Sequence, residues 1–319
     1  METSPPNAQD IKWYRTPVPP EAMKELMQRS NLRGGGFIGL HTALILCSGG
    51  LFMHCYVKQL YYLLPFLLML HGLFYSFLGY AGLAHELNHR TVFKSAALND
   101  FFLKLVSVLT WNNFVYYRKS HQIHHKYTVL GDLDGEVRLP QELVLKDIGN
   151  LVFFDFRLFS RAIRILGENA RNIVKGEFGN RHFPAGTPQR RRLVLWARLT
   201  LAFHGLTGLL FLCTGRWQYI LLVNLAPFFF TFFNRLLAQA QHYGLSPNVN
   251  DYRSNTRTVI LNPFLSFLYW QMNYHVEHHM FPAVPFFRLK HLNTLIAYDL
   301  PQPVRGIGAL LREMVNINA

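Results

Sequence analysis

Uncharged apolar runs alternate with charged segments along this 319-residue chain. Residues 36–57 contain no Asp, Glu, Lys or Arg, and neither do residues 60–84. Residues 193–213 contain Arg198 as their one charge, and residues 217–240 contain Arg235. As helices, all four are long enough to cross a bilayer, which takes about 20 apolar residues. Lys58-Gln59 separates the first two runs and Thr214-Gly215-Arg216 the last two. Each pair predicts a tight helical hairpin, at 36–84 and 193–240. Pro65 and Pro227 are tolerable in such helices, because neighbouring groups satisfy the freed carbonyls.

Shorter patterns lie between. Residues 153–175 mix Phe153, Phe154, Phe156, Phe159, Ile163 and Leu166 with Arg157, Arg161, Arg164, Arg171 and Lys175. This predicts a basic amphipathic helix lying on a membrane surface. Arg190, Arg191 and Arg192, at the mouth of the third run, read as headgroup anchors. Residues 101–111 and 259–270 are apolar but too short to span, and predict interfacial or re-entrant segments. The Pro-rich stretch 1–20 predicts a loosely held arm.

Composition sharpens the class. Half the residues are hydrophobic and 16% are charged, against about 25% in soluble domains. The net charge is +14. Of the 32 Lys and Arg, five precede the first run, 17 lie in 85–192 and six follow the fourth run. An even number of spans places these three segments on one side, and the positive-inside bias makes it the cytoplasm. The surplus is then explained by membrane lipids, and nucleic acid is not expected as a partner. The start of the chain lacks the pattern of a signal peptide. Cys47, Cys55 and Cys213 form no CxxC pair and no iron–sulfur ligand set. The expected architecture is an all-α, multi-pass integral membrane protein with four transmembrane helices as two hairpins. A single domain covers 1–319: a cytoplasmic arm (1–35), hairpin 1 (36–84), a cytoplasmic segment (85–192), hairpin 2 (193–240) and a second cytoplasmic segment (241–319). Both termini are cytoplasmic.

Nine of the 15 His fall into four places. His85 and His89 form HELNH; His121, His124 and His125 form HQIHH; His275, His278 and His279 form HVEHH. His242 stands alone just past the fourth run. Positions i, i+3 and i+4 share a helix face, so each cluster aims two or three imidazoles at one point. All four groups lie on the cytoplasmic side, in a helical cap. Nine imidazoles are too many for one ion and suit two metals. Redox chemistry on a ligand set poor in carboxylates favours iron over zinc. Glu86, Asp132, Asp134, Glu136 and Glu277 are candidate acceptors for outward-facing His N–H groups, or else ordinary surface charge. Gln239 and Asn273, beside His242 and the third box, are further candidate polar supports. Of the remaining six, His41, His54, His71 and His204 lie in the apolar runs and predict interhelical hydrogen bonds; His182 and His291 carry no pattern.

A rival motif uses some of the same residues. His85-Glu86-Leu87-Asn88-His89 matches HExxH, in which Glu is the general base of a zinc protease. Leu133-Asp134-Gly135 resembles the LDG element of intramembrane proteases. That reading uses His85, His89 and Asp134 and leaves seven of the nine histidines without a role. A lipid-binding protein without catalysis is the third class.

The three boxes, NYHVEHHMFP at 273–282 above all, and their order around two hairpins resemble the membrane-bound fatty-acid desaturase and hydroxylase superfamily. The resemblance covers nearly the whole chain. With three residues between the histidines of the first box, it is nearest to bacterial acyl-lipid and sphingolipid-type desaturases, which implies a bacterial inner membrane. It implies two iron ions (Fe2+/Fe3+) at the cytoplasmic face, held by His85, His89, His121, His124, His125, His242, His275, His278 and His279. It also implies O2 as co-substrate and a fatty acyl or lipid alkyl substrate into which a double bond is introduced. Hydroxylation, acetylenation and oxidative decarboxylation share the apparatus. Some members place an Asn one helical turn before the lone His; here Ala238 takes that place, with Gln239 beside it. No iron–sulfur ligand set and no flavin or dinucleotide fingerprint is visible in these residues, so two electrons are expected from an external ferredoxin- or cytochrome-type partner steered by the basic face.

Overall fold

A computed structural model describes residues 11–137, 139, 141–143 and 148–317. Helix α1 (Pro20–Leu26) leads into α2 (Asn31–Val57), whose cap is Ser30: its hydroxyl accepts the Arg33 N–H at 3.2 Å. Among the described residues, α2 is one of two helices long and apolar enough to cross a membrane. The second arm of the first predicted hairpin is shorter. A 3-10 turn at Tyr61–Leu63 runs into α3 (Leu64–Ser76), which packs on α2. Pro65 sits in the first turn of α3, where its missing N–H costs nothing. The chain then turns, and helix resumes as α4 (Leu83–Asn88), which carries HELNH. The apolar run 60–84 is therefore not one continuous span.

The middle segment comprises α5 (Ala96–Leu109), α6 (Phe114–Tyr127), α7 (Ile148–Val152), α8 (Phe156–Ala170) and α9 (Glu177–His182). The predicted basic surface helix appears as α8. Its cap is Asp155, whose carboxylate accepts the Leu158 N–H at 2.8 Å. α8 packs on α10 (Pro188–Cys213), the second long apolar helix. Arg190 corrects the expectation of three headgroup anchors. It is buried, and its guanidinium donates to Asn172 and to the Phe183 carbonyl, while Arg191 and Arg192 stay exposed.

The fourth apolar run departs furthest from expectation. A π-helical turn at Ile220–Asn224 is followed by a 3-10 turn at Ala226–Phe228 and then α11 (Phe232–Ala240). Pro227 lacks an N–H, and Phe230 has φ +46°, so no regular helix passes through. Among the described residues, two continuous helices long and apolar enough to cross a membrane thus stand where four were expected. Polar groups freed by the break find partners from neighbours. His71 Nε2 donates to the Leu222 carbonyl at 2.9 Å and Trp111 Nε1 to Asn224 O at 2.7 Å. The Asp155 N–H donates to Phe228 O at 2.8 Å and the Phe230 N–H to Phe153 O at 3.1 Å. This is how a broken helix survives in apolar surroundings.

Three of the four histidines in the apolar runs bond between elements as expected. His71 does so as above. His41 Nε2 donates to Phe74 O at 2.8 Å and its Nδ1 accepts Trp270 Nε1–H at 3.1 Å. His204 Nε2 donates to Val108 O at 2.8 Å and its Nδ1 accepts from Asn224 at 3.1 Å. His54 is exposed.

The C-terminal segment holds α12 (Tyr252–Asn255), α13 (Pro263–Leu268), α14 (His275–Met280), α15 (Phe286–Ile296) and α16 (Gly306–Asn316). Strands β1 (Val259–Ile260) and β2 (Val304–Arg305) pair in parallel, with Val259 opposite Val304. The largest core cluster sets Trp270 and Phe286 against Leu87, Val92 and Leu289, which fixes α4 and α14 in one body. The N-terminal arm is held rather than loose over its described part. Trp13 stacks on Tyr252 at 4.3 Å and donates to Lys126 O at the end of α6. Tyr14 donates to Asp299 at 2.8 Å. Residues 1–10 of that arm lie outside the described residues.

Candidate metal centre

Four elements bring the nine histidines together: α4, α6, α14 and the turn after α11. They form two groups, in each of which one ring nitrogen per residue lies within 4.8 Å of all the others. One group is His85, His89, His121, His125 and His278; the other is His124, His242, His275 and His279. The second and third boxes are therefore each divided, where the sequence reading had each converge on one point. Helical geometry explains the division. At about 100° per residue, an i, i+4 pair is about 40° apart, whereas the residue at i+3 is about 100° from its i+4 neighbour. So His121 and His125 share one group while His124 turns to the other. His275 and His279 share the second group while His278 turns to the first.

Within the groups the Nε2 atoms face one another. His89 and His121 approach to 2.8 Å, His121 and His125 to 3.1 Å, His125 and His278 to 3.2 Å, and His275 and His279 to 3.1 Å. Outward nitrogens are held by the surrounding protein. His85 Nδ1 meets Glu86 Oε1 at 3.1 Å, His121 Nδ1 meets Glu136 at 3.2 Å, and His124 Nδ1 meets Asp134 Oδ2 at 2.9 Å. His242 Nδ1 donates to the Asn255 carbonyl at 2.9 Å, and His279 Nδ1 to Thr128 Oγ1 at 3.2 Å. An Nδ1–H fixed in this way leaves the Nε2 lone pair pointing inward, the arrangement of metal-binding imidazoles.

The electrostatics agree. Burial, followed by mutual repulsion among the rings, holds His85, His89, His125, His275, His278 and His279 well below the ordinary histidine value. His242 is lowered to about 3, chiefly by burial. They are neutral, as a ligand must be. His124 is the exception: burial pulls it down, but the Asp134 carboxylate outweighs burial and raises it. Asp134 itself, despite burial, is held at about 2 by His124 and by backbone N–H groups. Glu86 is pushed up to about 8 by burial. His85 Nε2 and His242 Nε2 are buried and have no hydrogen-bond partner among the described residues. Such orphaned acceptors, one in each group, fit a pair of cations that prefer nitrogen donors.

Not every candidate support lies against a histidine nitrogen. Glu277 accepts from Thr258 Oγ1 at 2.6 Å and is also bonded to Asn293. Asn273 bonds Ser266 and the Val259 carbonyl, tying the turn before α14 to α13 and β1. Gln239 donates to Glu142 O at 2.6 Å. Asp132 is exposed in a 3-10 turn. Sequence reasoning missed Thr128 and Asn255. Thr128 had a signal, since it lies four residues after His124 on α6's helical spacing. Asn255 acts through a backbone carbonyl, which residue type does not report. The protease motif is not assembled: His85 and His89 are joined by three further histidines, and Asp134 faces His124.

A cavity of about 750 Å³ reaches the centre. Its inner wall includes His85, His121, His242 and His275, with Tyr80 stacked on Tyr117 at 3.6 Å beside them. Arg157, Arg161 and Arg235 also line it. Ala238 contributes to the wall too, so the position one turn before His242 presents a methyl group.

A family model described as fatty acid desaturase matches residues 59–307, a stretch that includes every one of the nine histidines. The sphingolipid delta(4)-desaturase of Candida albicans is 26% identical over 245 residues, 71% of this chain and 61% of that protein. The sphingolipid delta(4)-desaturase of Komagataella phaffii is 26% identical over 253 residues, 73% of this chain and 61% of that protein. The match thus spans about three fifths of the length of these curated relatives. Both are yeast proteins, so they lend no support to the bacterial membrane expected from the first box.

Proposed function

The chain belongs to the fatty acid desaturase family, and on that premise we propose that it is a membrane oxidoreductase that introduces a double bond into a lipid alkyl or fatty acyl chain. The observation that carries this is the division of nine mostly buried, inward-facing imidazoles into groups of five and four. These residues would hold two irons. When bound, the irons supply, with O2 and two external electrons, the oxidant needed to break an unactivated C–H bond.

The protein's own contribution is orientation. Glu86, Asp134, Glu136, Thr128 and the Asn255 carbonyl hold the outward ring nitrogens, so the ligand set is preformed. The cavity that ends at His85, His121, His242 and His275 admits the substrate chain, and its walls restrict which carbon reaches the centre. Arg157, Arg161 and Arg235 suit a polar or anionic headgroup. The names of the relatives favour a sphingolipid among the candidate lipids.

In this reading α2 and α10 cross the membrane, and the shorter or broken runs that pack on them complete two hairpins. The histidines and both termini then face the cytoplasm, which the placement of the basic residues favours. An external ferredoxin- or cytochrome-type donor delivers the electrons.

Lipid profiling by mass spectrometry in a host expressing the chain tests the proposal, with His275→Ala as control. A product lacking two hydrogens, absent from the control, is expected. A product heavier by one oxygen would reassign the reaction to hydroxylation, and identical profiles would overturn the enzymatic reading.

A further inference from the structure

A second cavity, of about 810 Å³, lies against the flank of α6. Val115, Lys119 and Gln122, which line it, are roughly 100–160° around the helix from His121. Its floor is apolar. Phe114 and Trp196 meet edge to face with ring centres 4.6 Å apart. Leu195 and Leu199 of α10 extend that floor and are 56% and 48% exposed. Cations surround it, and among the described residues no Asp or Glu lines it. Two of the cations are engaged: Arg118 with Asp100 and Asn88, and Arg181 with Glu177. Lys104, Lys119 and Arg192 have no acidic partner among the described residues.

We propose that this groove binds one anionic phospholipid, with the headgroup phosphate at Lys104, Lys119 and Arg192 and an acyl chain along Leu195 and Leu199. Charge complementarity selects the headgroup, because unpaired Lys and Arg at a membrane surface favour anionic over zwitterionic lipid. The floor selects lipid over an acidic protein: it continues along α10, whose exposed leucines face hydrocarbon rather than water. This rests on the reading of α10 as a membrane span. The site also has a route to the metal centre. One wall is α6, which carries the second histidine box, and Arg118 donates to Asn88, next to His89, at 3.3 Å. A bound lipid therefore braces two of the four histidine-bearing elements from behind.

The test is thermal melting of the detergent-solubilised full chain with dioleoyl-phosphatidylglycerol or dioleoyl-phosphatidylcholine, at low and high salt. A ligand that binds the folded state alone raises the melting temperature. Phosphatidylglycerol should bind about tenfold or more tightly than phosphatidylcholine, a preference lost at high salt and in Lys119→Gln/Arg192→Gln. The milder Lys104→Gln should weaken the preference and Lys290→Gln, on α15, should not. Equal stabilisation by the two lipids, or a preference intact in the double variant, overturns the site. So does protection of Lys119 from acetylation by an acidic ferredoxin but not by phosphatidylglycerol. Failure of the membrane reading would show separately, as a chain that stays soluble without detergent.

Discussion

His124 Nδ1 lies 2.9 Å from Oδ2 of Asp134, and both residues are buried. The same carboxylate accepts the backbone N–H groups of Val129 at 2.8 Å, Glu136 at 2.7 Å and Val137 at 3.1 Å. Every donor around it needs an acceptor. In Asp134→Asn one oxygen becomes an NH2 and faces donors with a donor. Loosening His124 in this way should lower metal affinity of the four-histidine group by about 10–100-fold. Iron retention against a chelator measures it. The exposed Asp132→Asn should behave as wild type; equal loss in both variants would show that the Asp134 carboxylate does not hold the ligand.

At Gly72 the backbone of α3 packs directly against the broken fourth run. A Cβ built there would stand 2.4 Å from Phe229 O and 2.5 Å from Phe229 Cβ. Backbone must shift to admit it, so Gly72→Ala should destabilise by about 1–3 kcal/mol, as overpacking does. Gly50→Ala is the control, since nothing lies within 4 Å of its Cβ position. Equal melting temperatures for the two variants would contradict the packing of α3 on the break.

Asp100 joins α5 to the region behind the boxes by accepting from Arg90 at 2.7 Å and Arg118 at 2.8 Å. Burial alone would raise its carboxyl, but the two guanidinium groups outweigh burial and hold it below the ordinary Asp value. The folded state thus binds this proton more weakly than the unfolded chain. The resulting stabilisation is present above the ordinary Asp value of about 3.9 and is lost as pH falls through the lower folded value. The melting-temperature gap between wild type and Asp100→Asn should therefore be constant near neutrality and close in acid. A gap undiminished at the lowest accessible pH would exclude the charge as its source.

The sequence carries the site further than the path of the membrane segments. Histidine spacing is a local property of helices, so HELNH, HQIHH and HVEHH were legible as clusters. The lone His242 was legible from its place beyond an apolar run. Their division between two groups is also written in the i+3 and i+4 offsets, but only once both partners of each group are known. The break in the fourth run was harder to see. Hydropathy counts apolar side chains, whereas the π turn and the kink at Pro227 depend on carbonyls rescued by His71, Trp111 and the Asp155 N–H from elsewhere in the chain. Arg190 misled for a related reason: its burial is decided by Asn172 and the Phe183 carbonyl, partners outside its own helix. The supports at Thr258 and Asn293 escaped notice because Glu277 turns toward them, a direction that its position in the third box does not reveal.

Nine histidines divided five and four should form two metal sites rather than one. Metal content per polypeptide of the purified full-length protein, by inductively coupled plasma mass spectrometry, tests it most directly. Two irons per chain are expected, falling in His85→Ala and in His242→Ala, one variant for each group. A single zinc per chain, unaffected by His242→Ala, would contradict it.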